Sequence, residues 1–151
     1  MKKFNFRLER ILQYKAQIEE QKRRDLNARI EELTIQNRIL QQLTLKREIY
    51  RKRYSEMFMG RVDVDGLKNL RRFLDKIHRE LVLQAKKVVD CEKRVEKAKL
   101  ILLEAMRDRK KFENLKERKL KAYIKETNLA EQKTLDEFAS QAAARNINSV
   151  T

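Results

Sequence analysis

Residues 60–66 read Gly60-Arg61-Val62-Asp63-Val64-Asp65-Gly66. They hold both glycines of a 151-residue chain that has no proline. Glycine and proline are the strongest punctuation a helical chain has, so the chain is written to turn here. Gly60 can end a helix in a left-handed backbone conformation. Asp63 or Asp65 can cap the next helix and favour the positive end of its dipole. A connection this short joins neighbours that run antiparallel.

Both flanks of the turn carry the same spacing. On the N-terminal side it runs Phe4, Leu8, Ile11, Lys15, Ile18, Lys22, Leu26, Ile30, Leu33, Asn37, Leu40, Leu43, Arg47, Tyr50, Tyr54, Met57. That is 53 residues in 15 steps, about 3.5 per step, the heptad value of a left-handed supercoil. On the C-terminal side it runs Leu70, Leu74, Ile77, Leu81, Ala85, Val88, Cys91, Val95, Ala98, Leu102, Ala105, Arg109, Phe112. Leu115, Ala122 and Tyr123 continue it less regularly. Off the seam, Glu19–Arg23, Asp25–Arg29, Glu48–Lys52, Asp90–Arg94 and Glu117–Lys121 stand four apart, where opposite charges support a helix.

The fold class that follows is all-α: a long antiparallel two-helix coiled coil, a helical hairpin. The first helix is expected over 1–58, the turn over 59–66 and the second helix over 67–140, overhanging the first. Residues 141–151 lack the period and are expected to form a disordered tail. Pairing outward from the turn puts Phe4 near residue 122. A hairpin closed on itself is a monomer. The same seam would also serve a dimer that swaps helices across Gly60–Gly66, or a parallel dimer with a flexible break.

Composition agrees. Charged residues make up 40% of the chain, aromatics 7%, and there is no tryptophan. That is too little bulk for a thick globular core and enough for a narrow seam. Net charge is +15. Residues 1–58 hold 15 basic and 8 acidic groups, and residues 67–126 hold 20 and 10, so the two helices carry +7 and +10. Such a field attracts acidic proteins, nucleic acid or anionic lipid, and selects poorly among them.

Catalytic chemistry has almost nothing to work with. His78 is the only histidine, so one chain cannot build a histidine triad or a His-pair metal site. Cys91 falls on the seam, where a free thiol behaves as a small hydrophobe. A lone cysteine also fits a reducing, cytoplasmic setting. Glu19-Glu20 and Glu31-Glu32 lie on polar faces with no pocket around them. No catalytic, cofactor-binding or metal site is expected. The start, MKKFNFRLERIL, lacks the apolar run of a secretory signal, and no window approaches a membrane span. Lys22-Arg23-Arg24, Arg51-Lys52-Arg53 and Arg109-Lys110-Lys111 invite a nucleic-acid reading. Neighbours on a helix diverge by about 100°, so these runs wrap the helix instead of lining one stripe, and no aromatic platform accompanies them. Specific nucleic-acid binding is not expected; a basic coiled-coil nucleic-acid binder is the alternative from another class. Leu70, Phe73, Ile77, Glu80 and Gln84 form a second stripe near the turn, either a wider core or a ridge for a partner helix.

Three features carry a family resemblance. The start Phe4-x-Phe6-Arg7-Leu8-Glu9-Arg10-Ile11-Leu12, the single central break, and the end Leu135-Asp136-Glu137-Phe138-Ala139-x-x-Ala142 resemble the FliJ family of flagellar type III export. The resemblance implies a non-enzymatic coiled coil similar to the gamma stalk of rotary ATPases. It implies insertion of the paired termini into the ring of a FliI-type export ATPase, contact with a FlhA-type export-gate membrane protein, and work with export chaperones. The ATPase-facing residues it implies are Phe4, Phe6, Arg7, Leu8, Ile11, Asp136, Glu137 and Phe138. The gate-facing residues are Leu70, Phe73, Ile77, Glu80 and Gln84, with Glu80 and Gln84 departing from the family's small and His-like positions. The implied location is cytoplasmic, at the inner face of the cell membrane through the export apparatus. The stalk of a virulence type III system is the alternative within the class.

Overall fold

A computed structural model describes residues 2–150. It has two elements, α1 (Glu9–Glu56) and α2 (Val64–Val150), which pair as an antiparallel helical hairpin. No strand occurs among the described residues. By contacts the chain divides into two compact units: Ile18–Ala105, which bears the turn, and Met1–Gln17 with Met106–Thr151, which bears both chain ends.

In the turn-bearing unit, α1 ends through Met57 N–H on Arg53 C=O at 3.1 Å and Met59 N–H on Glu56 C=O at 3.0 Å. Gly60 follows at φ +117°, a backbone conformation that L side chains adopt only under strain. No other described residue has positive φ. Asp63 caps α2: its carbonyl accepts the Leu67 N–H at 3.0 Å. A Cβ on Gly66 would stand 2.7 Å from Asp63 Oδ2 and 3.1 Å from Met57 Cε. The second glycine thus makes room for the cap and for the last side chain of the first seam. Gly60→Ala is expected to cost about 1–2 kcal/mol, the strain of an L-residue at positive φ. Urea denaturation should show it as a lowered midpoint with unchanged slope.

The seam on α2 is strict. Ile77, Leu81, Gln84, Val88, Cys91, Val95 and Ala105 are buried, and Ala98 and Leu102 half-buried, giving steps of four and three without a break. The spacing predicts Ala85; the structure seats Gln84 there instead, because only Gln84 keeps the four–three alternation. Its amide meets its hydrogen-bonding need on α1, donating to Gln36 Oε1 at 2.7 Å and to Gln36 C=O at 3.0 Å. Gln36 likewise takes the place expected of Asn37, which is exposed. Toward the turn Tyr50 meets Phe73 edge to face, centroids 4.6 Å apart, and Lys46 Nζ stands 5.2 Å from the Phe73 centroid. Of the predicted four-apart pairs, Glu19–Arg23 and Glu117–Lys121 form at 3.1 and 3.2 Å. Arg29 turns to Glu32 at 3.2 Å rather than to Asp25, and Glu48 takes Arg47 at 3.7 Å.

In the unit with both chain ends, α1 starts at Glu9 rather than at the first residues. Phe6 is buried and its carbonyl accepts the Glu9 N–H at 3.1 Å, so the chain folds over before the helix begins. Leu12 N–H on Leu8 C=O at 2.9 Å is the first helical bond. Leu8 has no side-chain oxygen to cap that end, and Glu9 supplies the anionic charge that the helix start favours. Leu12, half-buried, replaces the exposed Ile11 on the seam. At the other end, α2 continues to Val150, past the expected boundary at 140. No proline or glycine follows Gly66, and Ala142-Ala143-Ala144 are strong helix formers.

Candidate protein-docking surfaces

The unit with both chain ends is closed by a small cluster. Phe4 packs on Tyr123, centroids 5.6 Å apart, one residue from the expected partner. The Tyr123 hydroxyl donates to the carbonyl of Lys2. Glu9 pairs with Lys116 at 2.9 Å and Lys15 with Asp108 at 3.9 Å. Of the residues expected to face an ATPase, Phe6 is therefore buried, Phe4 and Leu8 half-buried, and Arg7 and Ile11 exposed.

Asp136, Glu137 and Phe138 stand elsewhere. They lie 13 to 15 residues beyond Tyr123 on α2, about 20 Å along the axis at 1.5 Å per residue. The structure does not bring the two expected halves of the site together. Beyond Thr127 every described residue of α2 is exposed. Apolar side chains recur on this free length, with Leu129, Leu135 and Phe138 at 57, 67 and 66% exposure. Leu129 was not among the expected site residues; an apolar residue past the last seam position is the signal that could have found it.

In the turn-bearing unit the expected gate-facing stripe divides by burial. Ile77 is 1% exposed and Gln84 6%, so both face α1 and are not offered outward by this hairpin. Leu70, Phe73 and Glu80 are half-buried. Phe73 is part of the contact with Tyr50 and Lys46, the wider core the spacing allows. The apolar residues that α2 does present outward are others, Val82, Leu83 and Val89 among them. The turn and its flanks expose Phe58, Met59, Val62 and Val64; of these Val62 and Val64 lie within 60–66, a stretch read only as punctuation.

A groove of about 530 Å³ lies in the same unit, where Ala28 and Ala98 leave space between the helices. Lys22, Asp25, Arg29, Glu32, Arg94 and Lys97 border it, with Arg29 spent on Glu32. It offers no hydroxyl, thiol or imidazole. Cys91 is buried. Among the described residues no group of three or more His, Cys, Asp or Glu could hold a metal ion. No described helix is long and apolar enough to cross a membrane. What the surface supplies is exposed apolar side chains on a basic ground, the material of protein recognition.

Comparison with known proteins agrees with this architecture. No curated protein matched. A solved structure described as that of a YscO homolog, CT670 from Chlamydia trachomatis, superposes with a TM-score of 0.62 at 18% identity, covering 91% of this chain and 94% of that one; at that identity the likeness is one of fold. The family described as Flagellar FliJ protein matches residues 4–148. That span takes in the Phe4 cluster, both seams, the turn and the free length of α2, and the chain belongs to the flagellar FliJ family.

Proposed function

We propose that this FliJ-family chain is a non-enzymatic stalk of the flagellar export apparatus. It enters the ring of a FliI-type export ATPase with the unit that bears both chain ends, and promotes ring assembly and ATP hydrolysis. The observation that carries the reading is the free length of α2. A helix that leaves Leu135 and Phe138, three residues apart on one side, more than half exposed, with no α1 residue opposite, has an unfilled apolar patch. Amphipathic helices fill such faces by docking in a partner's groove. On this reading the turn-bearing unit serves the FlhA-type gate and the export chaperones, and the chain works at the inner face of the cell membrane through those partners. Because Ile77 and Gln84 are buried, the gate would meet Leu70 and Phe73 at their exposed edges together with Leu83, which is exposed on the Phe73 side of α2.

The test is the ATPase rate of a purified FliI-type enzyme with the intact chain, with a chain cut after Lys125 and with one starting at Leu8. The intact chain is expected to stimulate and the chain cut after Lys125 to lose most of that effect. Phe138→Ala should raise the concentration for half-maximal stimulation about tenfold or more, the weight of a lost aromatic anchor. Absence of stimulation by the intact chain overturns the proposal. The fold shared with the YscO homolog favours a second reading, the equivalent stalk of a virulence type III system. Stimulation of a virulence ATPase in preference to a flagellar one would select it.

A further inference from the structure

The turn between α1 and α2, with the first residue of α2, exposes four large apolar side chains. Met59 is 85% exposed, Phe58 56%, Val64 58% and Val62 49%. Turns that only reverse a chain are built from small and polar residues. Four large apolar side chains within seven positions do nothing for the reversal, which Gly60 and the Asp63 cap already accomplish. Phe58 is held in place by an edge contact to Tyr54, centroids 5.2 Å apart, so its exposure is fixed and not a frayed end.

The surroundings are basic. Residues 51–72 hold seven basic groups (Arg51, Lys52, Arg53, Arg61, Lys68, Arg71 and Arg72) and three acidic ones (Glu56, Asp63 and Asp65), a net of +4. All seven basic side chains are exposed. Six of them lie on the helices flanking the turn, behind the apolar tip. Of the acids, Asp63 stands at the start of α2, where its carbonyl accepts the Leu67 N–H.

We infer that this turn is a membrane-contacting tip. Phe58, Met59, Val62 and Val64 enter the interface of an anionic bilayer while the basic groups behind them meet lipid phosphates. The two terms are those that bind peripheral helices to membranes, apolar burial at the headgroup boundary and attraction to anionic lipid. Charge complementarity argues against two other occupants. A second copy of the chain, brought tip to tip, would set seven cations against seven. A neutral apolar pocket in a protein would leave the cations unused. Anionic lipid uses both features. The inference stands apart from the ATPase reading, which concerns the other unit.

The chain contains no tryptophan, so a single introduced one reports its own surroundings. Phe58→Trp and, separately, Phe138→Trp in the full chain would be mixed with vesicles of phosphatidylcholine containing about 30% phosphatidylglycerol, and with phosphatidylcholine alone. Expected is a blue shift of emission and quenching by brominated lipid for Phe58→Trp with the anionic vesicles only. Phe138→Trp should show neither. In vesicle sedimentation Met59→Ser should weaken binding about fivefold or more, from the lost burial of one methionine side chain, with ATPase stimulation unchanged. Three results overturn the inference: a tryptophan at position 58 that stays in water while the chain sediments, equal binding by Met59→Ser, or equal shifts with neutral vesicles. The first two mean that charge alone holds the chain to the vesicle; the last removes the part assigned to the basic ring. Should the tip be a protein-binding element instead, the shift with anionic vesicles will be missing altogether.

Discussion

Ile77→Asp is expected to remove more than about 3 kcal/mol of stability, enough to unfold the turn-bearing unit at physiological temperature. Ile77 is 1% exposed, the most buried side chain of the chain's described residues. Its replacement would lose the burial of a branched aliphatic, in itself worth about 2–5 kcal/mol when cut to alanine. It would also strand a carboxylate in the seam between Leu74 and Leu81. A two-helix seam has no second layer to absorb the loss. Leu100→Asp is the matched control: the same charge enters the same helix at a side chain that is 66% exposed, and the change should stay within about 0.5 kcal/mol. Thermal unfolding followed by circular dichroism at 222 nm reads both. Equal midpoints for Ile77→Asp and the parent would mean that the seam is not where the structure puts it. Running the parent at two concentrations separates a hairpin, whose midpoint is independent of concentration, from a swapped dimer, whose midpoint rises with it.

How much of this was legible beforehand depends on which residues one looks at. At Ile77, Leu81, Val88, Cys91 and Val95 the seam could be read because heptad spacing and hydrophobicity point to the same positions. The hairpin could be read because both glycines fall in one seven-residue stretch with matching patterns on either side. Where the two signals part, hydrophobicity misleads. Ala85 looks like the seam residue and Gln84 is; Asn37 marks the expected step and Gln36 fills it. Glutamine enters the seam only because a second glutamine stands opposite, and that is a fact about pairing across 48 residues, which no local pattern holds. Glu19 is buried as well, beside the four-apart Arg23 at 3.1 Å that the sequence does show. The start of α1 was also hidden. Phe4 and Leu8 continue the period into residues that precede the helix, since burying Phe6 requires the chain to bend and nothing in the letters marks that bend. For the docking surfaces, the sequence placed the aromatic start against residue 122 to within one position. It joined Phe138 to that cluster only through a family motif, and the helix keeps them apart.

The glutamine pair yields the second large effect. Gln84 Nε2 has two acceptors on Gln36, the side-chain Oε1 at 2.7 Å and the backbone carbonyl at 3.0 Å. Replacing both residues by leucine removes one buried and one half-buried amide from an apolar seam, and the double variant is expected to gain about 1–3 kcal/mol. The single changes should not be equivalent. Gln36→Leu leaves the buried Gln84 amide with the backbone carbonyl as its partner, and should cost about 1 kcal/mol. Gln84→Leu leaves Gln36, which is half-exposed and can turn to water, and should be neutral or mildly stabilising. What the double variant gives up is register. A lone polar layer in a heptad seam marks which turn of one helix faces which turn of the other. With leucine on both sides that mark is gone, and a slip by one heptad moves the helices past each other by about 10 Å. Spin labels on cysteines placed at Gln42 and Arg79, both exposed, in a Cys91→Ala background would show it. The parent is expected to give one narrow distance and the double-leucine variant a second population displaced by a heptad. If that variant is more stable and keeps the single narrow distance, the pair is a tolerated cost of the sequence, and Tyr50 on Phe73 is sufficient to hold the register alone.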